Sequence, residues 1–192
     1  MIQFATYPAS ARPVDSQVRE AIAGGCLWVR LTGSSEEEIK TLIPLCTAKG
    51  VILVLDDNVE LVDKLRIHGI HLTAWDRGSV IAVREKLGPH AIVGVACDSA
   101  EKAMELKGLD VDYMTVAAPS GVNPLDFFTE FAAKLKAEDV QVHPVASGEF
   151  PVAMLRPVLD TGMAGVELSE VVADASNPAE FMKLALSSVN NI

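Results

Sequence analysis

Val51-Ile52-Leu53-Val54-Leu55-Asp56-Asp57, a short helical stretch, and Gly69-Ile70-His71-Leu72 running on to Asp76 decide the reading of this chain. Val51 to Leu55 is a continuous aliphatic run, too short for a globular helix and rich in β-branched residues. It predicts a strand buried on both faces. Val59, Val62 and Leu65 then recur at helical spacing, Gly69 stops the turn, and Ile70 to Leu72 begins a second strand. Both strands end on acidic residues. In a barrel of parallel strands all ends of one polarity share one face, so Asp57 and Asp76 can meet across the intervening sequence.

The same alternation extends in both directions. Upstream, Ile2 to Ala5 predicts a strand and Val14 to Ala23 a helix closed by Gly24 and Gly25; Leu27 to Leu31 predicts the next strand. Ser35 with Glu38 forms a capping box for a helix whose apolar face is Ile39, Leu42, Ile43 and Cys46. Pro44 should kink that helix. Downstream come a helix Ser79 to Leu87, a strand Ile92 to Ala96, a helix about Ala100 to Leu106, a strand Tyr113 to Val116, a helix opened near Pro124, and a strand Val142 to Ala146. A helix about Met154 to Leu159, a strand Gly165 to Leu168 and a helix from about Pro178 to Val189 complete the chain. These are roughly eight strand-then-helix units with no linker between them. They predict an α/β fold, a compact (β/α)8 TIM barrel filling residues 1–192 as a single domain, with a flavodoxin-like open sheet as the alternative. In either fold the ligand lies outside the carboxyl ends of the strands.

Composition narrows the function. With 49% hydrophobic residues and a mean hydropathy of +0.28 the chain can bury a full core. No apolar run reaches the roughly 20 residues of a membrane span. The N-terminus lacks the basic-then-apolar plan of a signal peptide, so a cytoplasmic protein is expected. A net charge of −10 argues against a nucleic-acid partner. A small phosphorylated molecule remains open as ligand if helix N-termini, placed cations or a carboxylate-held divalent metal offset the field. A homo-oligomer is compatible with this composition. Cys26, Cys46 and Cys97 sit in apolar segments without metal-ligand spacing, as reduced core thiols do.

Candidate site residues cluster at the strand ends. Asp57 and Asp76, with Asp56 beside them, are a candidate Mg²⁺ pair, since that ion takes few carboxylates plus water and phosphate oxygens. Helix capping is the commoner reason for aspartates where loops lead into helices. Ser147-Gly148 after the seventh strand and Leu168-Ser169 after the eighth lie where barrels bind phosphate through backbone N–H groups. Arg30 is unexpected in an aliphatic strand and can reach a phosphate or pair with an aspartate. His71 and His143 are acid–base candidates or hydrogen-bonded structural residues, and Trp75 can cover a ring-shaped ligand or pack under a loop.

Ala23-Gly24-Gly25, Leu55-Asp56-Asp57, Gly69-Ile70-His71-Leu72, Asp76, Arg84 with Leu87-Gly88-Pro89, Ile92-Val93-Gly94-Val95 and Asp112-Tyr113 together resemble thiamine phosphate synthase and its relative thiazole tautomerase, in order and at similar intervals. The resemblance covers most of the chain and implies a compact (β/α)8 barrel. It implies a transferase of thiamine biosynthesis that joins a pyrimidine methyl pyrophosphate to a thiazole phosphate, with Mg²⁺ assisting the departure of pyrophosphate. The family's metal aspartates fall on Asp57 and Asp76, and its phosphate loops on Ser147-Gly148 and near Leu168 and Ser169. Arg30 and His71 are the candidate catalytic side chains.

The chain also departs from the family pattern. Arg30, Thr32 and Ser34 stand where the family has glutamine, arginine and lysine; Asp56 and Asn58 replace an asparagine and an arginine; Ala96 replaces a serine. Ala117-Ala118-Pro119-Ser120-Gly121 replaces a loop carrying a pyrophosphate lysine, and Ala118 lies near where the tautomerase branch has its histidine. Three readings stay open: a thiamine phosphate synthase-like enzyme, a catalytically impaired member that binds a thiamine-related phosphate ligand, and another phosphate-dependent barrel enzyme.

Overall fold

The computed structural model describes residues 1–190. Its strands are β1 (Ile2–Ala5), β2 (Trp28–Leu31), β3 (Ile52–Asp56), β4 (Gly69–Leu72), β5 (Ile92–Cys97), β6 (Tyr113–Ala117), β7 (His143–Ser147) and β8 (Gly165–Leu168). They pair in chain order, all parallel, and β8 closes onto β1. The helices are α1 (Val14–Ala23), α2 (Glu36–Lys49), α3 (Val59–Leu65), α4 (Arg77–Leu87), α5 (Ala100–Met104), α6 (Pro124–Ala137), α7 (Val152–Asp160), a short α8 (Glu170–Ala173) and α9 (Pro178–Asn190). The closed TIM barrel agrees with the strand count and excludes the open sheet.

The core sits between the barrel wall and the helices. Successive strand residues point to opposite faces, and here the outward set is apolar: Phe4, Val29, Leu53, Ile70, Met114 and Leu168 pack into one buried cluster with helix residues such as Val18, Leu42 and Phe128. The inward set is different. Gln3, Arg30, His71, Tyr113, Thr115 and Glu167 are bonded to one another across strands that are not neighbours, contacts that only the barrel interior permits. The aliphatic run at β3 is therefore buried on both faces as expected, but one face meets helices and the other a polar interior.

Several boundaries differ from the reading of the sequence. β3 starts and ends one residue later, which makes Asp56 an inward strand residue rather than the first residue of a loop. His143 opens β7 instead of lying near its end, so it stands on the opposite face of the barrel from the mouth. Helix α4 begins at Arg77 with Asp76 as N-cap, and α2 continues through Pro44 to its glycine C-cap. Helix α8 is too short for a periodicity signal. All three cysteines are free and buried, and burial pushes the Cys97 thiol up to about 12.

Two parts of the shared pattern are scaffold. Arg84 donates to the carbonyls of Gly88 and Ala91 and to Asp112 Oδ2 at 3.0 Å, while the same carboxylate accepts from Val93 N–H at 2.8 Å. This ties α4 to β5 and β6. Gly94 faces inward, and a Cβ there would lie 2.3 Å from the Tyr113 ring. Gly94→Ala is therefore expected to destabilise the fold by about 1–3 kcal/mol through overpacking, read as a lowered urea midpoint; an unchanged midpoint would show that Tyr113 is free to move.

Candidate active site

The mouth is built on an interior charge cluster. Arg30, from β2, donates through Nη1 to Asp56 Oδ1 at 3.0 Å and through Nη2 to Glu167 Oε1 at 3.0 Å, with Nε 2.9 Å from Glu167 Oε2. Ser147 Oγ donates to Glu167 Oε1 at 2.9 Å. With its amide oriented to satisfy both ends, Gln3 donates to Glu167 Oε2 at 2.8 Å and accepts from Trp28 Nε1 at 2.7 Å and Tyr113 O–H at 3.2 Å. The network thus runs from the amino-terminal end of the barrel to its mouth. Burial alone would lower the Arg30 guanidinium, but Glu167 and Asp56 more than offset it and hold the group charged. Burial raises both carboxyls, against the opposing pull of Arg30.

His71 lies beside Asp56 in the β3–β4 register, fully buried, with Nε2 3.3 Å from Thr115 Oγ1. Burial and then the Arg30 charge hold its pKa well below the ordinary value, so the ring is neutral. Its Nδ1 has no partner among the described residues. Arg30, which the sequence left between phosphate and aspartate, is paired with Asp56 and also with Glu167.

Asp57 and Asp76 occupy the rim. Asp57 has a left-handed backbone (φ 55°), fixed by Thr73, whose N–H donates to Oδ1 at 2.8 Å and whose hydroxyl donates to Oδ2 at 2.5 Å. Asp76 Oδ1 accepts from Ser79 N–H at 2.7 Å within a capping box. That backbone bond, followed by the Ser79 side chain, holds the Asp76 carboxyl below its usual range. Each carboxylate retains lone pairs beyond these bonds. Among the described residues no three His, Cys, Asp or Glu side chains converge as a metal site. The available donors are two carboxylates, a set that suits Mg²⁺ when water and phosphate oxygens complete its octahedron.

Beside the rim, Thr73, Trp75, Ala96, Asp98 and Lys102 line a cleft of about 360 Å³. Trp75 Nε1 donates to the Ala96 carbonyl at 2.6 Å, and Lys102 Nζ lies 4.2 Å from the indole centroid, a cation–π contact. Trp75 thus both packs under a loop and walls the cleft. Across the mouth, Leu168 is fully buried in the core. Ser169 caps α8 without a side-chain bond. Instead, Val171 N–H donates to Glu149 Oε2 at 2.5 Å. Glu170, then burial, raises the Tyr7 phenol, with Asp174 and Glu149 adding to the effect. Glu167, Thr73, Lys102 and Glu149 went unread in the sequence; only Glu167, a lone charge in the strand Gly165–Leu168, carried a visible signal.

Fold and mouth define a compact (β/α)8 barrel with carboxylates at the carboxyl ends of its strands. The chain belongs to the thiamine monophosphate synthase family, whose model matches residues 5–172. It is similar to a thiamine-phosphate synthase from Bacteroides fragilis (strain YCH46), 30% identical over 201 residues covering 97% of this chain and 98% of that one. A thiamine-phosphate synthase from Geobacillus kaustophilus is 27% identical over 183 residues, covering 88% and 82%. The solved structure of a thiamine phosphate pyrophosphorylase from Pyrococcus furiosus superposes with a TM-score of 0.81 at 23% identity, covering 98% of this chain and 94% of that one, and shows the shared fold.

The raised Glu167 carboxyl makes a signed prediction. A carboxyl whose folded pKa exceeds its unfolded value keeps a proton that the unfolded chain has lost, so this group's contribution to stability falls as pH rises from the usual carboxylate range to the raised value. Glu167→Gln removes that dependence. The stability lost by the variant should shrink as pH is raised from about 4 to about 8, measured by urea unfolding. A loss that grows with pH would mean that Arg30 outweighs burial.

Proposed function

We propose that the mouth of this barrel carries out thiamine phosphate synthase chemistry, transferring a pyrimidine methyl group from its pyrophosphate to the ring nitrogen of a thiazole phosphate. The observation that carries this reading is the pair Asp57 and Asp76 on the rim, at the family's metal positions in a chain that the family model matches from residue 5 to residue 172. Mg²⁺ bound by this pair would offset charge on the departing pyrophosphate. Thr73 and Ser79 hold the two carboxylates in place, so little reorganisation is needed when ligand arrives.

Trp75 offers an apolar face for a ring beside them. The monophosphate falls to the other side of the mouth, at Ser147, Gly148 and Ser169, with Leu168 buried behind them. Arg30 and His71 act from beneath: Arg30 positions Asp56 and Glu167, and neutral His71 supports the floor between Thr115 and Asp56. No helix among the described residues is long and apolar enough to cross a membrane, and the reading is of a cytoplasmic enzyme.

A second reading, ligand binding without turnover, is favoured by one observation: the Arg30 charge is already taken by two carboxylates, while Thr32 Oγ1 and Ser34 Oγ offer no charge in its place. Charge-assisted contacts to a leaving group are worth about 1.5–3 kcal/mol each. Single turnover with both precursors, Mg²⁺ and excess protein separates the readings. Thiamine phosphate should form, and Asp57→Ala should slow it by at least about tenfold. Binding of both ligands without product selects the second reading, and neither binding nor product contradicts both.

A further inference from the structure

We propose that Lys102 is a pyrophosphate-binding cation of this barrel: its ammonium lies over the Trp75 face and moves onto the leaving pyrophosphate when a substrate ring takes that face. The inference rests on the preceding synthase reading and deepens it, by assigning the charge that Arg30 is not free to give.

Trp75 sets the geometry. Its indole N–H is tied to the Ala96 carbonyl at 2.6 Å, which fixes the ring, and Lys102 Nζ stands 4.2 Å from the ring centroid. A planar substrate ring would stack on the same π face that attracts the cation, so ring and ammonium exclude each other there. The backbone of Lys102 is held: its N–H donates to Ser99 Oγ at 3.2 Å. Arg77, next to the Asp76 cap, donates to the carbonyls of Glu105 and Lys107 and ties the rim to the end of α5. Only the Lys102 side chain need move. Its other contact is a salt bridge to the half-exposed Glu105 at 2.8 Å, three residues on, a kind of pair that is weakly held. The flexible four-carbon stem can turn its three donors away from both contacts without backbone change.

The cleft that Lys102 walls adjoins both rim carboxylates. Thr73, which holds Asp57 through its N–H and hydroxyl, lines it together with Trp75, Asp98 and Lys102. Asp76 follows Trp75 in the chain. Its carboxyl is held down by the Ser79 backbone bond, then by the Ser79 side chain, with the Lys102 charge adding in the same sense. An anion held at Asp57 and Asp76 therefore borders this cleft, where Asp98 contributes a further carboxylate and a cation is needed to offset it. Neighbouring cations are turned elsewhere: Arg30 to Asp56 and Glu167, Arg77 to its two carbonyls, and Lys134 toward Glu101. In the transfer, the bond from the pyrimidine methyl carbon to the pyrophosphate oxygen breaks with its electron pair going to that oxygen, and the thiazole nitrogen lone pair forms the new carbon–nitrogen bond. Negative charge grows on the pyrophosphate, and an ammonium placed there favours the transition state over the bound substrate.

Lys102→Met keeps an apolar stem and removes the charge; Lys102→Arg keeps a cation. Calorimetry on the full chain should show pyrophosphate with Mg²⁺ binding at least about tenfold more weakly to Lys102→Met, thiazole phosphate binding as in the wild type, and Lys102→Arg recovering most of the loss. Single turnover with both precursors should slow in the same order, with circular dichroism melting confirming the fold of each variant. By NMR, the Lys102 Cε–Hε signals, displaced by the indole ring current, should return toward the ordinary lysine range when pyrophosphate and Mg²⁺ are added to the wild type. Signals that keep their displacement at saturation, or pyrophosphate affinity unchanged in Lys102→Met, overturn the proposal; product formed by the wild type then leaves the synthase reading standing. Pyrophosphate bound through Lys102 without product in the wild type overturns the catalytic role together with that reading, and neither binding nor product overturns both.

Discussion

A guanidinium inside a barrel has to be neutralised where it stands, and the grip of Asp56 and Glu167 on Arg30 organises the rest of the molecule. The bonds join β2 to β3 and, across β1, to β8. They draw in Ser147 from β7 and, through Gln3, Tyr113 from β6, so that most of the barrel's circumference shares one network. Removing one partner from such a buried set leaves a charge without compensation, typically a loss of about 3–5 kcal/mol. The cluster carries two carboxylates against one guanidinium, and burial raises both carboxyls.

The outward face makes this interior tolerable. Apolar residues alternate with the polar ones along each strand and bury against the helices, supplying the hydrophobic stabilisation that the charged interior does not. The Arg84–Asp112 tie and the close approach of Gly94 to Tyr113 then fix how β5 and β6 sit. These residues belong to the pattern the chain shares with its family, so much of the likeness lies in the scaffold. The cations at the mouth are engaged: Arg30 with two carboxylates, Lys102 with Glu105 and the Trp75 face, and Arg12 with backbone carbonyls and Glu20.

The barrel was legible in the sequence because each strand is a short aliphatic run and each helix has a periodic face, signals that depend on neighbours in the chain. Gly165–Leu168 and Val14–Ala23 were read to the residue on that basis. What the sequence hid depends on closure. A one-residue shift of β3 turned Asp56 inward, and a strand reading cannot resolve such a shift in an aliphatic run. His143 already stood second in the strand read as Val142 to Ala146, so its place away from the mouth follows from that strand's direction rather than from a shifted boundary. Glu167 was visible as a charge in an aliphatic strand, but its partner lies 137 residues away. Glu149 meets Val171 only because two loops end on one face. The capping role of Asp76 and the pairing of Arg30 with an aspartate were both among the readings the sequence offered, and the structure shows both.

The central claim is that Arg30 belongs to the barrel interior and not to the ligand. NMR of its Nε–Hε group tests this directly, recorded before and after saturation with pyrophosphate and Mg²⁺. The account predicts a slowly exchanging resonance that stays in place while signals from Asp57 and Thr73 move. A large shift of the Arg30 resonance on adding pyrophosphate, with loss of its protection, would contradict it.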